Sequence, residues 1–173
     1  MFLKDSIISS VPLLFGKTKI FFGFFEFDFI ILSNVLQEIE DVSLFLKGLN
    51  QICNEDTIVH IVVPNAKSFH RLLAFEMGLV SSIYELSERN ILLQQQTVFD
   101  VDGLSKTLIQ NEFEVINHGS CFVKPFTHVQ MHKSTEQNDR DHNMLNGLYR
   151  MTKYLPDFGA EIFINFSFEL SVN

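Results

Sequence analysis

The sequence predicts an α/β domain, and three features of one stretch, Phe27 to Asn65, carry that prediction. Phe29, Ile30, Ile31 and Leu32 form a continuous apolar run, the pattern of a parallel strand covered on both faces. Val42, Phe45, Leu46, Leu49, Ile52 and Cys53 then recur at helical spacing, with Asp41 placed to cap the helix start. Thr57 to Val63 is rich in β-branched residues, as a second strand would be. Strand, helix and strand of this length make a crossover unit, which is right-handed in nearly every known case.

The other elements are justified in chain order. Ile7, Ile8, Val11, Leu13, Leu14 and Phe15 form one apolar run, and Ile20, Phe21, Phe22, Phe24 and Phe25 another. Gly16-Lys17 between them fits a β-ribbon; the alternative is a short segment leading into the strand at Phe27. Residues 1–25 are therefore expected to be an irregular or short-strand segment, and 26–173 the α/β domain. After Asn65, the spacing of Phe69, Leu72, Leu73, Glu76 and Met77 predicts a helix ending near Gly78. Asp100 can cap a helix with an apolar face of Val101, Leu104, Leu108 and Ile109. Phe113–His118 and Ser120–Phe126 read as one strand kinked at Gly119. Met144, Leu145, Leu148, Tyr149, Thr152 and Leu155 give a last helix stopped by Pro156, and Ala160 to Leu170 alternates as a strand.

Composition removes several function classes. With 46% hydrophobic and 20% charged residues, the chain has a globular composition. A net charge of −8 argues against sequence-independent nucleic-acid binding, which needs clustered Lys and Arg. Lys17, Lys19, Glu26 and Asp28 interrupt the apolar runs, so none reaches membrane-spanning length. Cys53 and Cys121 fall on apolar faces, as buried reduced thiols of a cytoplasmic protein would. His128 and His132 have a metal-ligand spacing, with Asp139, Asp141 and His142 beyond them. Lys133, Ser134, Gln137 and Asn138 mark that segment as an exposed loop, so no metal site is expected.

The series "FDFIILSNVLQEIED", a helix, "IVVPN", "SFHRLLAFEMGL", "LSERN" and "TVFDVDGLSKTLIQNEFEVINHGSCFVKPF" resembles, in order, the C-terminal portion of a class I S-adenosylmethionine-dependent methyltransferase of the type 11/23 kind. It spans roughly Ile20 to Phe126. The resemblance implies a partial Rossmann-like sheet, the family's strands 4-5-7-6 with flanking helices, in which the last strand is inserted antiparallel between its neighbours. It implies S-adenosylmethionine as cofactor and methyl transfer to a small-molecule acceptor. Ser33, Asn34 and Val35 would then line the cofactor pocket at the strand's carboxyl end; the alternative for Asn34 is simply to satisfy the turn. Many relatives read Leu-Glu-His where this chain has Leu36-Gln37-Glu38, so Glu38 replaces the family's His; Glu38 and, separately, His70 are the candidate general bases. His70, Arg71, Tyr84, Glu85, Glu88 and Arg89 fall where the family often builds a substrate lid; the plainer reading is a solvated helix and loop with ordinary ion pairs.

One half of the family's site is not in the sequence. None of the 8 glycines form G-x-G, and too few residues precede Phe27 for two strand-helix units. The first nucleotide-binding half is expected to be missing, and cofactor binding to be weak. The rival reading is a truncated or degenerate, non-catalytic domain acting through a partner chain. Without its usual neighbour, the strand at Phe27–Ser33 has an open edge. Met1 to Phe25 is expected to cover that edge, or the surface beside it, incompletely, leaving the chain to self-associate or to take missing strands from a partner.

Overall fold

The computed structural model describes residues 11–15, 18–22, 27–127, 130–131 and 141–168. Two strands, β1 (Val11–Phe15) and β2 (Thr18–Phe22), form an antiparallel hairpin with Phe15 opposite Thr18, the ribbon that Gly16-Lys17 suggests. The domain proper runs β3 (Phe29–Ser33), α1 (Val42–Asn50), β4 (Ile58–Pro64), α2 (Phe69–Glu76), α3 (Glu88–Leu92), α4 (Val101–Ile109), β5 (Phe113–Cys121), α5 (Asp141–Arg150) and β6 (Glu161–Phe168). A 3-10 turn, Leu36–Glu38, joins β3 to α1.

The sheet has four strands in the order β3-β4-β6-β5. β3 and β4 are parallel, as the crossover through α1 requires. β6 enters antiparallel between β4 and β5, so β5 points the same way as β3 and β4. This is the 4-5-7-6 order that the resemblance implies. The fold is therefore α/β, a partial Rossmann-like sheet with helices beside it.

The register shows where the core lies. Leu32 stands opposite Ile61, which stands opposite Ile164; Val59 faces Phe166, and Val63 faces Ile162. These side chains share one face, where they meet Phe45, Leu46 and Leu49 of α1 and Leu104 and Leu108 of α4 in a single buried cluster. Phe113 and Phe166 pack edge to face in it, with ring centroids 5.0 Å apart. Both helices are capped as their sequences suggest: Asp41 Oδ1 accepts from Leu44 N at 2.9 Å, and Asp100 Oδ1 from Gly103 N at 2.8 Å.

The opposite face differs from expectation. Phe29 is 67% exposed and Ile31 71%, so β3 is covered on one face and not on both. The reason is its place: β3 is the edge strand, and α1 and α4 pack against the face bearing Leu32. Across the other face the middle row is polar. Asn117 Oδ1 accepts from Asn165 Nδ2 at 2.7 Å, and Asn165 Oδ1 lies 2.7 Å from His60 Nδ1, whose ring stacks on Phe163. An apolar run alone does not distinguish a doubly covered strand from an edge strand with one bare side.

β5 also differs. It ends at Cys121, because Phe122 takes φ +60, a left-handed conformation that closes the strand. Its irregularity is a bulge between Val115 and Asn117, not a kink at Gly119. α4 buries Leu104 and Leu108 but leaves Ile109 exposed. α2 ends as read, with Gly78 at φ +70 just beyond it. The described part of residues 1–25 forms no ladder with β3; β1 lies beside α1 instead.

Candidate functional site

Because β3, β4 and β5 run the same way, their carboxyl ends and the start of β6 gather at one edge of the sheet. In open α/β sheets this is the edge where ligands bind. Four short connections build it here.

The first follows β3. Asn34 adopts φ +55, a left-handed conformation that Asn tolerates better than most residues, and its N–H donates to Val62 O at 2.9 Å. Its side chain lies at hydrogen-bond limit from two partners: Asn34 Nδ2 to Glu161 Oε1, and Gln37 Nε2 to Asn34 Oδ1, each 3.5 Å. Gln37 is only 1% exposed, and its Oε1 is buried without a partner. Its backbone carbonyl accepts from Gln96 N at 2.7 Å, which fixes the turn in place. Ser33 is exposed, and Val35 packs against the core cluster.

The second connection follows β4. Buried Asn65 is fully committed: Nδ2 donates to the carbonyls of Asp157 and Gly159 at 2.9 Å each, and Oδ1 accepts from Lys67 N. Ser68, at the α2 N-terminus, is buried with Oγ unpartnered. Beside it stands a charged knot. Lys67 Nζ lies 2.7 Å from Asp100 Oδ2 and 2.7 Å from Asp102 Oδ2, and Tyr84 OH donates to Asp100 Oδ2 at 2.9 Å. Burial alone would raise the Asp100 pKa; the Lys67, Gly103 and Tyr84 hydrogen bonds outweigh it and hold the carboxyl below its ordinary value. Lys67 is held above its own ordinary value by the same two carboxylates, Asp100 first.

The third is the segment after α2. The Arg71 guanidinium donates to the backbone carbonyls of Ile83 and Glu85, tying this stretch to α2. Glu85 in turn accepts from Ser81 N and Oγ at 2.8 and 2.7 Å. Ser87 and Asn90 then form a reciprocal cap that starts α3. The residues that resemblance assigns to a lid thus hold the segment's own conformation through Arg71, Tyr84 and Glu85.

The fourth is the loop from Asp157 to Ala160. Gly159 passes so close to β5 that an added Cβ would lie 2.6 Å from both Cys121 N and Cys121 O. Ser120 Oγ accepts from Gly159 N at 2.9 Å and donates to Pro156 O.

The two candidate bases stand apart in character. Glu38 is exposed, with no side-chain partner among the described residues. His70 is half-buried, with Nδ1 buried and unpartnered. Burial, then the charges of Lys124 and Arg71, lowers its pKa to about 4, so the ring is neutral at pH 7. No hydrogen bond or ion pair joins Glu38 to His70 among the described residues. Sequence reasoning missed the Asp100 knot, although the cap half of it was legible, and it missed Gln37 as the buried residue of the turn.

Among the described residues, no group of three His, Cys, Asp or Glu is close enough to hold a metal ion. His128, His132 and Asp139 lie outside the described residues. No described helix is long and apolar enough to cross a membrane. Both thiols are free and burial raises each pKa, Cys53 to about 11.

No protein-family model and no curated protein sequence matches the chain. Among solved structures it is similar to S-adenosylmethionine-dependent methyltransferases from three organisms. The protein from Mesorhizobium loti aligns at 12% identity and TM-score 0.48, over 82% of this chain and 61% of the other. That from Archaeoglobus fulgidus aligns at 11% and 0.46, over 82% and 59%. That from Thermotoga maritima aligns at 13% and 0.46, over 81% and 55%. This chain thus spans between 55% and 61% of the length of these proteins. Its own strand order and register, with β6 antiparallel between β4 and β5, give it a class I methyltransferase-like sheet.

Proposed function

We propose that this chain forms the C-terminal wall of an S-adenosylmethionine site and serves methyl transfer to a small-molecule acceptor. The observation that supports this best is the turn after β3. Asn34 is left-handed at the carboxyl end of the strand, and Gln37 beside it has a buried, unpartnered Oε1. A buried carbonyl oxygen without a donor is rare and suits a ligand N–H, such as an ammonium or an adenine amine. Ser33, Asn34 and Gln37 would hold that part of the cofactor, and Val35 would hold the turn against the core. Bound cofactor supplies an electrophilic methyl group. What the protein's residues contribute is position: the hydrogen-bonded turns at the sheet edge hold an acceptor in one orientation, and orientation accounts for much of such catalysis. Where the acceptor must lose a proton, Glu38 is an exposed carboxylate able to take it, and neutral His70 has a free ring nitrogen.

One observation favours a second reading, a non-catalytic domain that works through another chain. Among the described residues no strand pairs with the outer edge of β3, its apolar Phe29 and Ile31 are exposed, and the sequence contains no Gly-rich cofactor loop. Equilibrium dialysis with labelled S-adenosylmethionine separates the two. Weak saturable binding that Gln37→Ala abolishes supports the first; retention that is unsaturable, or unchanged by Gln37→Ala, removes it.

A further inference from the structure

Between β4 and α4 the chain leaves the domain and returns to it at one point. Asn65 and Phe99 form a parallel bridge, and Ala66 N donates to Phe99 O at 2.7 Å. Lys67, on the outgoing chain, reaches Asp100 on the returning one, Nζ to Oδ2 at 2.7 Å. The base of the excursion is therefore clamped, and Ala66, Phe99 and Asp100 are buried in it. Beyond the base the character changes. None of residues 69–98 is buried. No apolar side chain among them belongs to the core cluster or packs against it, and Met77, Leu79, Ile91 and Leu92 are exposed.

Hydrogen bonds, not core packing, hold this excursion. Inside it, Arg71 binds α2 to the carbonyls of Ile83 and Glu85, Glu85 accepts from Ser81, and the Ser87–Asn90 cap starts α3. Near its ends, Phe69 N donates to Phe158 O at 3.0 Å, and Gln96 N and Thr97 N donate to Gln37 O at 2.7 and 3.3 Å. In its middle, among the described residues, Tyr84 alone makes a hydrogen bond outward, from its OH to Asp100 Oδ2 at 2.9 Å. That acceptor is strong, because Lys67 beside it keeps Asp100 a carboxylate. It also belongs to the clamped base, so Tyr84 ties the middle of the excursion back onto its own root. A segment without core burial opens at low cost, and pinned ends let it do so while the sheet stays paired.

We infer that residues 69–98 open and close as one unit over a folded sheet, and that the Tyr84–Asp100 hydrogen bond is the latch that holds the unit shut. The latch is one bond between an exposed tyrosine and a fixed carboxylate, so it can be broken without disturbing the core. The returning end of the unit rests on the carbonyl of Gln37, whose own Oε1 is buried and unpartnered. The closed unit therefore borders the turn assigned above to the cofactor, and opening it gives a way to that edge. This last consequence rests on the function proposed above; the latch itself does not.

The test is amide hydrogen exchange on the full chain without any ligand, at a pH where exchange reports the opening equilibrium. Met77, Ile91 and Leu93 donate backbone hydrogen bonds within the unit, to Leu73, Ser87 and Arg89. Their amides should share one opening, at least about a hundredfold more frequent than that of the β4 amides. Tyr84→Phe should speed the exchange of all three roughly tenfold and leave β4 and α4 unchanged. Tyr149→Phe, on α5, should change nothing in the unit. The inference is overturned if these amides exchange only as slowly as β4, or if Tyr84→Phe leaves them as they are. It is equally overturned if Tyr84→Phe speeds β4 by the same factor or prevents folding, because the bond would then serve the whole domain. Cofactor binding is not read in this experiment, so its result leaves the methyltransferase reading where it stands. Failure of S-adenosylmethionine to bind would remove that reading and keep the latch.

Discussion

Residues around the turn after β3 and the helix that follows it divide into buried ones that hold the core and exposed ones that do not. Leu49 is 1% exposed in the core cluster, whereas Asn34 is exposed at a turn. Leu49→Ala should therefore cost about 2–5 kcal/mol in urea denaturation, and Asn34→Ala clearly less. If the two ranked the other way, the strand-helix junction would not be organised as described. His70 gives a pH signature with a definite sign. Its folded pKa, about 4, lies below the ordinary 6.5, so between those values the unfolded chain binds more protons. Its contribution is complete above about pH 6.5 and declines as pH falls toward 4. His70→Gln should flatten that part of the acid limb in phosphate-free buffer, measured as the urea midpoint at pH 7.5 against pH 5. Asp100, held below its ordinary value, acts at lower pH: its contribution is present above about pH 4 and lost as the pH falls further. Asp100→Ala removes a cap and the partner of Lys67 and Tyr84, and should cost about 1–3 kcal/mol at pH 7. At this scale the sequence was half legible. Asp41 and Asp100 announced themselves as caps because the signal is local, while Lys67 meeting Asp100 depends on a contact across many residues.

At the scale of elements, the periodic signals worked and the environment of each element did not follow from them. The helices at Val42 and Val101 and the alternation from Glu161 to Phe168 stand where their patterns put them. The exposed side of β3 was hidden, because Phe29 and Ile31 are as apolar as the buried Leu32. Coverage is a property of neighbouring elements, which a run of side chains does not encode. An edge that no described strand pairs with, beside the exposed Phe29 and Ile31, should drive association. Light scattering should find the unaltered chain associating with concentration, and Ile31→Lys should reduce it by placing a charge on the exposed face. A concentration-independent monomer with slow amide exchange along Phe29 to Leu32 would contradict this. Gly159 tests the strap on the sheet's far side. Its Cβ would collide with the backbone of Cys121, so Gly159→Ala should destabilise by about 1–3 kcal/mol, read as a lower Tm.

For the whole molecule, the decisive order β3-β4-β6-β5 followed from the ordered series of motifs better than from any single one. Strand direction came from the crossover rule, and β6's place between β4 and β5 only from resemblance. The site was less legible. Asn34 stands where a strand-end residue must, but the burial of Gln37 beside it follows only from the way the turn folds. The central claim is that this sheet edge is part of a cofactor site whose other wall is not supplied by the described residues. The most direct measurement is a titration of the 15N-labelled chain with S-adenosylmethionine, following backbone and side-chain amides. The account predicts shifts concentrated at Ser33, Asn34 and Gln37, with a midpoint at about millimolar concentration or weaker. Micromolar binding, or shifts centred away from the turn after β3, would contradict it.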